Sequence, residues 1–352
     1  MSLQNKKNYD KVFEEFKKLE KDIDGFYKIL GRGAFGEVRE VRLKGRLHAA
    51  KLVEKEKSDN IEPDILKDKN IIKIVKFSEK KIFDKYYDLI IMENAVLRDI
   101  GKLFLFLSDK NLLKLINIPF LEIISDNLLR YFALQIINGL ESLERHDLVH
   151  FDIKPENLLI TSGLVLKISD FSFLKNLKHA SEHFKIPGGT HGFVSPEYYS
   201  KEKINKEIAK KQDYFALGCT IYFLKFGHRL LKYKKYEEKI KNEIRVIELL
   251  SKNMNKLKSN LLLDIDFINF ICGLVEYSPN ERFSFEDIYR DKWLNKSNQD
   301  ILYVKYAFCE GEEDKQMREL IKSDFLIDKK KELNKRRRKF IFKRHNKNKI
   351  VL

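Results

Sequence analysis

The spacing of apolar residues changes several times along this chain, and each change marks an element. Between residues 8 and 22, Val12, Phe13, Phe16 and Leu19 fall at helical intervals, which predicts an amphipathic helix packing beneath the next domain. From Phe26 to Lys55 the period shortens. FYKIL runs into a glycine-rich turn, EVREVRL alternates as a half-buried strand does, Lys44-Gly45-Arg46 makes a hairpin turn, and LHAAKLV reads as the next strand. A short helix is expected at 61–69. Strands near 71–77 and 88–93 complete a small β-rich lobe.

Beyond about Ser125 the 3.6 period dominates. RYFALQIINGLESLERHDL is an amphipathic helix, and the stretch from Tyr214 to Gly227 is apolar nearly all round, as a buried helix is. KYEEKIKNEIRVIELLS and DFINFICGLV are two further helices. SFEDIYRDKWL is the last, with Ser284 as its N-cap, and the domain is expected to close near Trp293. The stretch Ser108–Asn127 is a longer connection than a minimal fold needs.

Composition narrows the class. The chain has 352 residues, 43% of them hydrophobic and 12% aromatic, enough for a substantial core and against disorder over most of the length. Its formal charge is +16, but residues 329–349 hold 12 Lys and Arg against one Glu, so +11 of it sits in that tail. Cys219, Cys272 and Cys309 are far apart and contain no C-x-x-C pair, which points to a reducing compartment. The start lacks the apolar core of a signal peptide, and no stretch approaches the length of a membrane span. A cytoplasmic or nuclear location is the expectation.

Candidate chemistry centres on His150-Phe151-Asp152-Ile153-Lys154-Pro155-Glu156-Asn157. Asp152 can accept a proton from an attacking hydroxyl, Lys154 can neutralise phosphate charge, Asn157 can ligate a metal, and Pro155 stiffens the loop. Upstream, Gly31-Arg32-Gly33-Ala34-Phe35-Gly36-Glu37-Val38 places glycines where backbone N–H groups can approach phosphate. A dinucleotide-binding turn reads similarly, but there a helix follows the glycines, and here a strand does. Further runs come in order: Ala49-Ala50-Lys51, Asp170-Phe171-Ser172, Gly189-Thr190-His191-Gly192-Phe193-Val194-Ser195-Pro196-Glu197, Asp213 to Gly218, and Pro279-Asn280-Glu281-Arg282.

Taken together and in this order, the seven motifs resemble those of the eukaryotic-type serine/threonine protein kinases, over about residues 26–294. The resemblance implies an α+β, bilobal fold. A β-rich N-lobe with a short αC helix would run from about 26 to 95, a larger helical C-lobe from 96 to 294, with extensions at 1–25 and 295–352. It implies ATP and Mg²⁺ as cofactors and protein substrates carrying Ser or Thr. Lys51 would hold phosphates, Asp170 and Asn157 metal, and Asp152 the substrate hydroxyl, with Thr190 bonded to the Asp152–Lys154 pair. Gly31, Arg32, Gly33, Ala34, Phe35 and Gly36 would cover the phosphates, and Val38, Ala49 and Leu159 would enclose adenine. Met92 would be the gatekeeper, Glu93 would offer a hinge carbonyl and Ala95 a hinge N–H. Asp213 would brace the catalytic loop, and Arg282 would make a buried bidentate pair with Glu197.

Three departures from the family pattern carry their own expectations. Glu62, the partner expected for Lys51, lies close to it in sequence and is followed by Pro63, which implies a truncated helix; Glu54 and Glu56 are rival partners. Ser172 replaces a glycine and so limits positive φ there. Phe151 replaces an arginine that would meet a phosphorylated activation loop, and between Phe173 and Gly188 the only hydroxyl side chain is Ser181. Activity without activation-loop phosphorylation is therefore expected. A catalytically silent scaffold would share the short helix and Ser172, but Lys51, Asp152, Asn157 and Asp170 are all present.

The tail KKKELNKRRRKFIFKRHNKNK leaves three readings open: a solvated tail, a nuclear-import or nucleic-acid patch, and a site for anionic lipid or an acidic protein. Phe340, Ile341 and Phe342 interrupt its charges with apolar anchors.

Overall fold

A computed structural model describes residues 3–33, 36–55, 68–95, 99–107, 126–161, 163–200, 202–231, 251–255, 258–259 and 264–296. Glu62 and Glu56, Ala34 and Phe35, most of the 108–127 connection, the helix expected over KYEEKIKNEIRVIELLS and the basic tail lie outside these residues.

The chain opens with α1 (Leu3–Leu19), followed by β1 (Ile23–Gly33), β2 (Gly36–Leu43), β3 (Arg46–Lys55), β4 (Ile74–Ile82) and β5 (Lys85–Met92). The strands form one antiparallel sheet in the order β1-β2-β3-β5-β4. The two-residue period of a strand gives that sheet two distinct faces. Val41, Leu43, Ala50, Leu52, Tyr87, Leu89 and Ile91 point to one face, where Val12, Phe13 and Phe16 of α1 cover them. Val38, Ala49, Lys51 and Met92 point to the other: Val38 lies opposite Lys51, and Ala49 opposite Met92.

Several boundaries differ from the sequence reading, two of them for a clear local reason. The first helix stops at Leu19 instead of running to 22, because Lys76 draws Glu20 (2.7 Å) and Asp22 (2.5 Å) into ion pairs across the next turn. The strand expected at 71–77 runs from Ile74 to Ile82. Ile71 and Ile72 are taken instead by the core of the larger lobe, where Ile72 N–H donates to the Ile168 carbonyl at 2.9 Å.

The C-lobe continues with α2 (Ile100–Leu107), α3 (Asp126–Arg145), β6 (Leu148–Val149), a 3₁₀ turn at Pro155–Asn157, β7 (Leu158–Ile160), β8 (Leu166–Ile168), β9 (Lys175–Asn176) and β10 (His183–Phe184). It ends with α4 (Glu197–Ser200), β11 (Ile204–Asn205), α5 (Lys206–Phe226), α6 (Ile265–Leu274) and α7 (Phe285–Arg290). The buried faces of α3, α5 and α6 form its core with Trp293, which stacks on Phe270 at 5.1 Å. α5 is capped by Asn205, whose side chain accepts from Ile208 N–H, and ends at Gly227 in the left-handed region. Ser284 caps α7, as the sequence predicted, and does so reciprocally with Asp287.

Candidate functional site

Short hairpins carry the chemistry-bearing residues. β6 pairs with β9 and β7 with β8, so the loop between β6 and β7 is clamped at both ends beside the segment after β8. Asp213, buried inside α5, accepts the backbone N–H groups of His150 (2.7 Å) and Phe151 (2.8 Å). That brace holds Phe151 at φ 63°, a backbone region that a bulky residue occupies only when its surroundings impose it. Burial pushes the Asp213 carboxyl up to about 7, against the pull of the two N–H donors. His150 is buried, and burial lowers its pKa, so the ring is neutral. Its Nδ1 accepts the Asp152 N–H, and its Nε2 donates to the Ser169 carbonyl.

Asp152 is bonded on both oxygens. Thr190 Oγ1 donates to Oδ1 at 2.7 Å, while Lys154 Nζ (2.6 Å) and Asn157 Nδ2 (3.0 Å) donate to Oδ2. Lys154 also reaches Thr190 Oγ1 at 2.6 Å, closing a triangle across 38 residues of sequence. Asn157 spends its amide nitrogen on the Asp152 side chain and carbonyl, which turns its amide oxygen the other way. Its own carbonyl accepts the Ser169 N–H at 2.9 Å, tying it to the neighbour of Asp170.

Asp170 sits at φ 65° and receives Lys51 Nζ at 2.6 Å. Ser172 Oγ donates to the same Asp170 oxygen at 2.6 Å and accepts from Lys51 at 3.0 Å. Burial works to raise the Asp170 carboxyl, but the Lys51 charge and the hydrogen bonds from Lys51 and Ser172 outweigh it and hold it at about 2. A permanently ionised carboxylate and an amide oxygen are the hard donors that Mg²⁺ takes, so this donor set fits that ion.

On the N-lobe side, a Cβ built at Gly31 or Gly33 meets nothing within 4 Å, so the hairpin backbone stands open to a ligand there. Gly36 differs: a Cβ would lie 2.0 Å from the Leu52 carbonyl, so only glycine fits. Arg32 turns its side chain to Glu37, on the α1 face, and can offer the inner face only backbone. Glu54 also points to the α1 face, where it pairs with Lys85 and Tyr87, so the alternation of β3 removes it as a partner for Lys51. Met92 and Leu159 pack against the C-lobe core. Glu93 turns its carboxylate back to Lys167 (2.9 Å) and the Lys73 N–H, leaving the backbone to run on to Ala95.

The Glu197–Arg282 pair forms at 2.7 Å, but through a single bond where a bidentate one was expected. The other donors of Arg282 satisfy the carbonyls of Glu276, Lys211 and Tyr277, which this buried guanidinium would otherwise leave unpaired.

Two contributions went unread in the sequence. Ser172 counted there only as a lost glycine, although a hydroxyl two residues after a carboxylate is a known local hydrogen-bonding arrangement. The left-handed residue of this turn is Asp170, so no glycine is required at 172. The burial of Glu37 had no signal in the sequence, since Arg32, Arg39 and the helix that covers them close round it only once the β1–β2 hairpin has formed beneath α1.

A two-lobed fold with these groups facing one another across the cleft is that of a protein kinase. The chain belongs to that family: the family model described as "Protein kinase domain" matches residues 26–294. It is similar to G protein-coupled receptor kinase 4 of Rattus norvegicus, 30% identical over 226 residues, covering 62% of this chain and 36% of that protein. The serine/threonine-protein kinase atg1 of Dictyostelium discoideum is 32% identical over 175 residues, 48% of this chain and 24% of its own. The sporulation-specific mitogen-activated protein kinase SMK1 of Saccharomyces cerevisiae is 30% identical over 210 residues, 56% and 53% respectively. The chain thus spans between about a quarter and about half the length of these relatives. Among the described residues, no helix is long and apolar enough to cross a membrane.

Proposed function

We propose that this kinase transfers the γ-phosphoryl group of ATP to serine and threonine hydroxyls of proteins, and that it needs no phosphate on its activation segment to do so. The observation that carries the first part is the Asp152–Lys154–Thr190 triangle. Asp152 orients the substrate hydroxyl and takes its proton late, while Lys154 offsets charge on the transferring group. Positioning and charge neutralisation do most of the work, since the transition state is loose. Lys51 holds the phosphates beneath the backbone of Gly31, Gly33 and Gly36. Val38, Ala49, Met92 and Leu159 enclose the base, with the Glu93 carbonyl and the Ala95 N–H at its edge. Asp170 and the Asn157 amide oxygen would hold Mg²⁺, which when bound would offset phosphate charge.

The second part is supported by what surrounds Phe151. Its ring lies edge-on to Phe184 at 6.5 Å, in a cluster with Val149, Leu177, Ile204 and Ala209. β10 pairs with β11, so the far end of the segment is tied down as well. Apolar packing here does the fastening that an arginine–phosphate contact would otherwise do.

The test is a thermal shift with ATP and Mg²⁺, followed by a transfer assay of the wild type against Asp152→Asn. A metal-dependent shift and transfer lost in the variant are expected; transfer retained in the variant refutes the mechanism, and no shift at all favours a silent scaffold. Phosphatase-treated protein and Ser181→Ala should keep full activity. A stoichiometric phosphate at Ser181 whose removal abolishes transfer would overturn the second part.

A further inference from the structure

Glu37 comes directly after the third glycine of the flap and is completely buried, yet nothing in the transfer mechanism uses it. It points away from the nucleotide face. One carboxylate oxygen accepts from Arg32 Nε, directly opposite it across the hairpin, and the other accepts from Arg39, at 2.6 Å from Nε and 2.5 Å from Nη2. The same Arg39 donates to Asp10 of α1, and its guanidinium lies 4.4 Å above the Phe13 ring. Phe13 in turn is fully buried and packs at 4.7 Å on Phe26 of β1. A continuous ladder, Asp10–Arg39–Glu37–Arg32, therefore runs from the first helix to the residue between Gly31 and Gly33.

A buried carboxylate is tolerated only with its partners in place, so each rung depends on the next. Glycines lose more conformational freedom on ordering than any other residue. A flap already pinned at Arg32 demands less of an arriving nucleotide, and preordering of this kind appears in affinity. We propose that Glu37 is a positioning residue for the phosphate flap and that α1 sets the flap through it. The helix thus supports the sheet from the face opposite the nucleotide. The inference rests on the reading of Gly31–Gly36 as the phosphate cover.

The experiment uses the full chain. Calorimetric titration with Mg·ATP should give a dissociation constant about tenfold weaker for Glu37→Gln and about threefold weaker for Asp10→Asn, with turnover at saturating ATP within about twofold of wild type. The double variant should bind no more weakly than Glu37→Gln alone, because both break one chain of contacts. Asp10 is exposed, so its variant folds even if Glu37→Gln does not. In Asp10→Asn, amide exchange over 31–36 should quicken. Wild-type exchange and affinity in Asp10→Asn, or additive effects in the double variant, overturn the proposal. If the wild type binds no Mg·ATP, the nucleotide reading fails by itself, and faster exchange in Asp10→Asn still supports the ladder.

Discussion

Phe151 and Glu37 both lie buried beside the cleft, one under each wall, and they are held by opposite means. The Phe151 ring is packed among other rings and methyl groups, with the Lys175 ammonium over the neighbouring Phe184 ring. Glu37, itself fully buried, is held by two guanidinium groups. The apolar packing of the Phe151 ring is strengthened by salting-out ions, although the Asp213 brace on its backbone titrates near 7; the ionic ladder is weakened as salt screens its outer rungs. The comparison also divides the labour. On the proposed function, the C-lobe wall carries the groups that act on the transferring phosphate and the N-lobe wall those that grip the nucleotide, so substitutions on the two should read out differently.

The largest effect is expected at the chemistry itself. Asp152→Asn should lower turnover about a thousandfold, on the scale of a lost general base, and leave nucleotide affinity within about twofold. Equal losses in both would erase the division between the walls. Next comes the apolar latch: Phe151→Ala should cost about 3 kcal/mol of stability in urea unfolding, by leaving a cavity between Val149, Leu177 and Phe184.

The third expectation is a pH slope. Asp213 has a folded pKa near 7, above its ordinary 3.8, so the folded state holds a proton the unfolded chain has released. Its contribution must therefore make stability fall as pH rises from about 4 to about 7, by at most about 1.4 kcal/mol per pH unit. Asp213→Asn should flatten that slope. Asp170 acts oppositely and elsewhere: its folded pKa near 2 lies below the ordinary value, so its contribution is present above about 4 and is lost as pH falls toward 2. Thermal melts from pH 2 to 8 in wild type and Asp213→Asn separate the two.

Smaller effects test the junction of the walls and the background. Ser172→Ala removes both hydroxyl hydrogen bonds to the Lys51–Asp170 pair and should weaken Mg·ATP binding several-fold in calorimetry, about 1 kcal/mol. Breaking the exposed Glu286–Arg290 pair, 3.9 Å apart on α7, should change stability by under about 0.5 kcal/mol.

Where the sequence was legible, the reason was local. Asp152, Lys154 and Asn157 share one loop, and their meeting there follows from a fixed short spacing. Thr190 and Asp213 sit in runs distinctive enough to announce which loop they brace. The capping box at Ser284 is likewise written in four consecutive residues. What stayed hidden depends on faces and distances. Nothing along the chain says that Arg39 reaches back to Asp10, or that Glu54 lies on the wrong side of β3 for Lys51. The single Glu197–Arg282 bond could not be told from a double one, because the competing acceptors are main-chain carbonyls brought there by folding. Ile71 and Ile72 read as a strand in the small lobe, although the larger core claims them.

Trp293 is the sole tryptophan of the chain, and it is sealed among Phe267, Phe270 and Arg130. Its emission is thus a private beacon for the helical lobe. Tyrosine gives no matching signal for the smaller half, since Tyr9, Tyr27, Tyr86 and Tyr87 are outnumbered by the tyrosines beyond it. Following the Trp293 emission beside amide exchange in the sheet during one denaturant titration would show whether the halves melt in step, or whether the smaller one, with its ionic splint, lets go first.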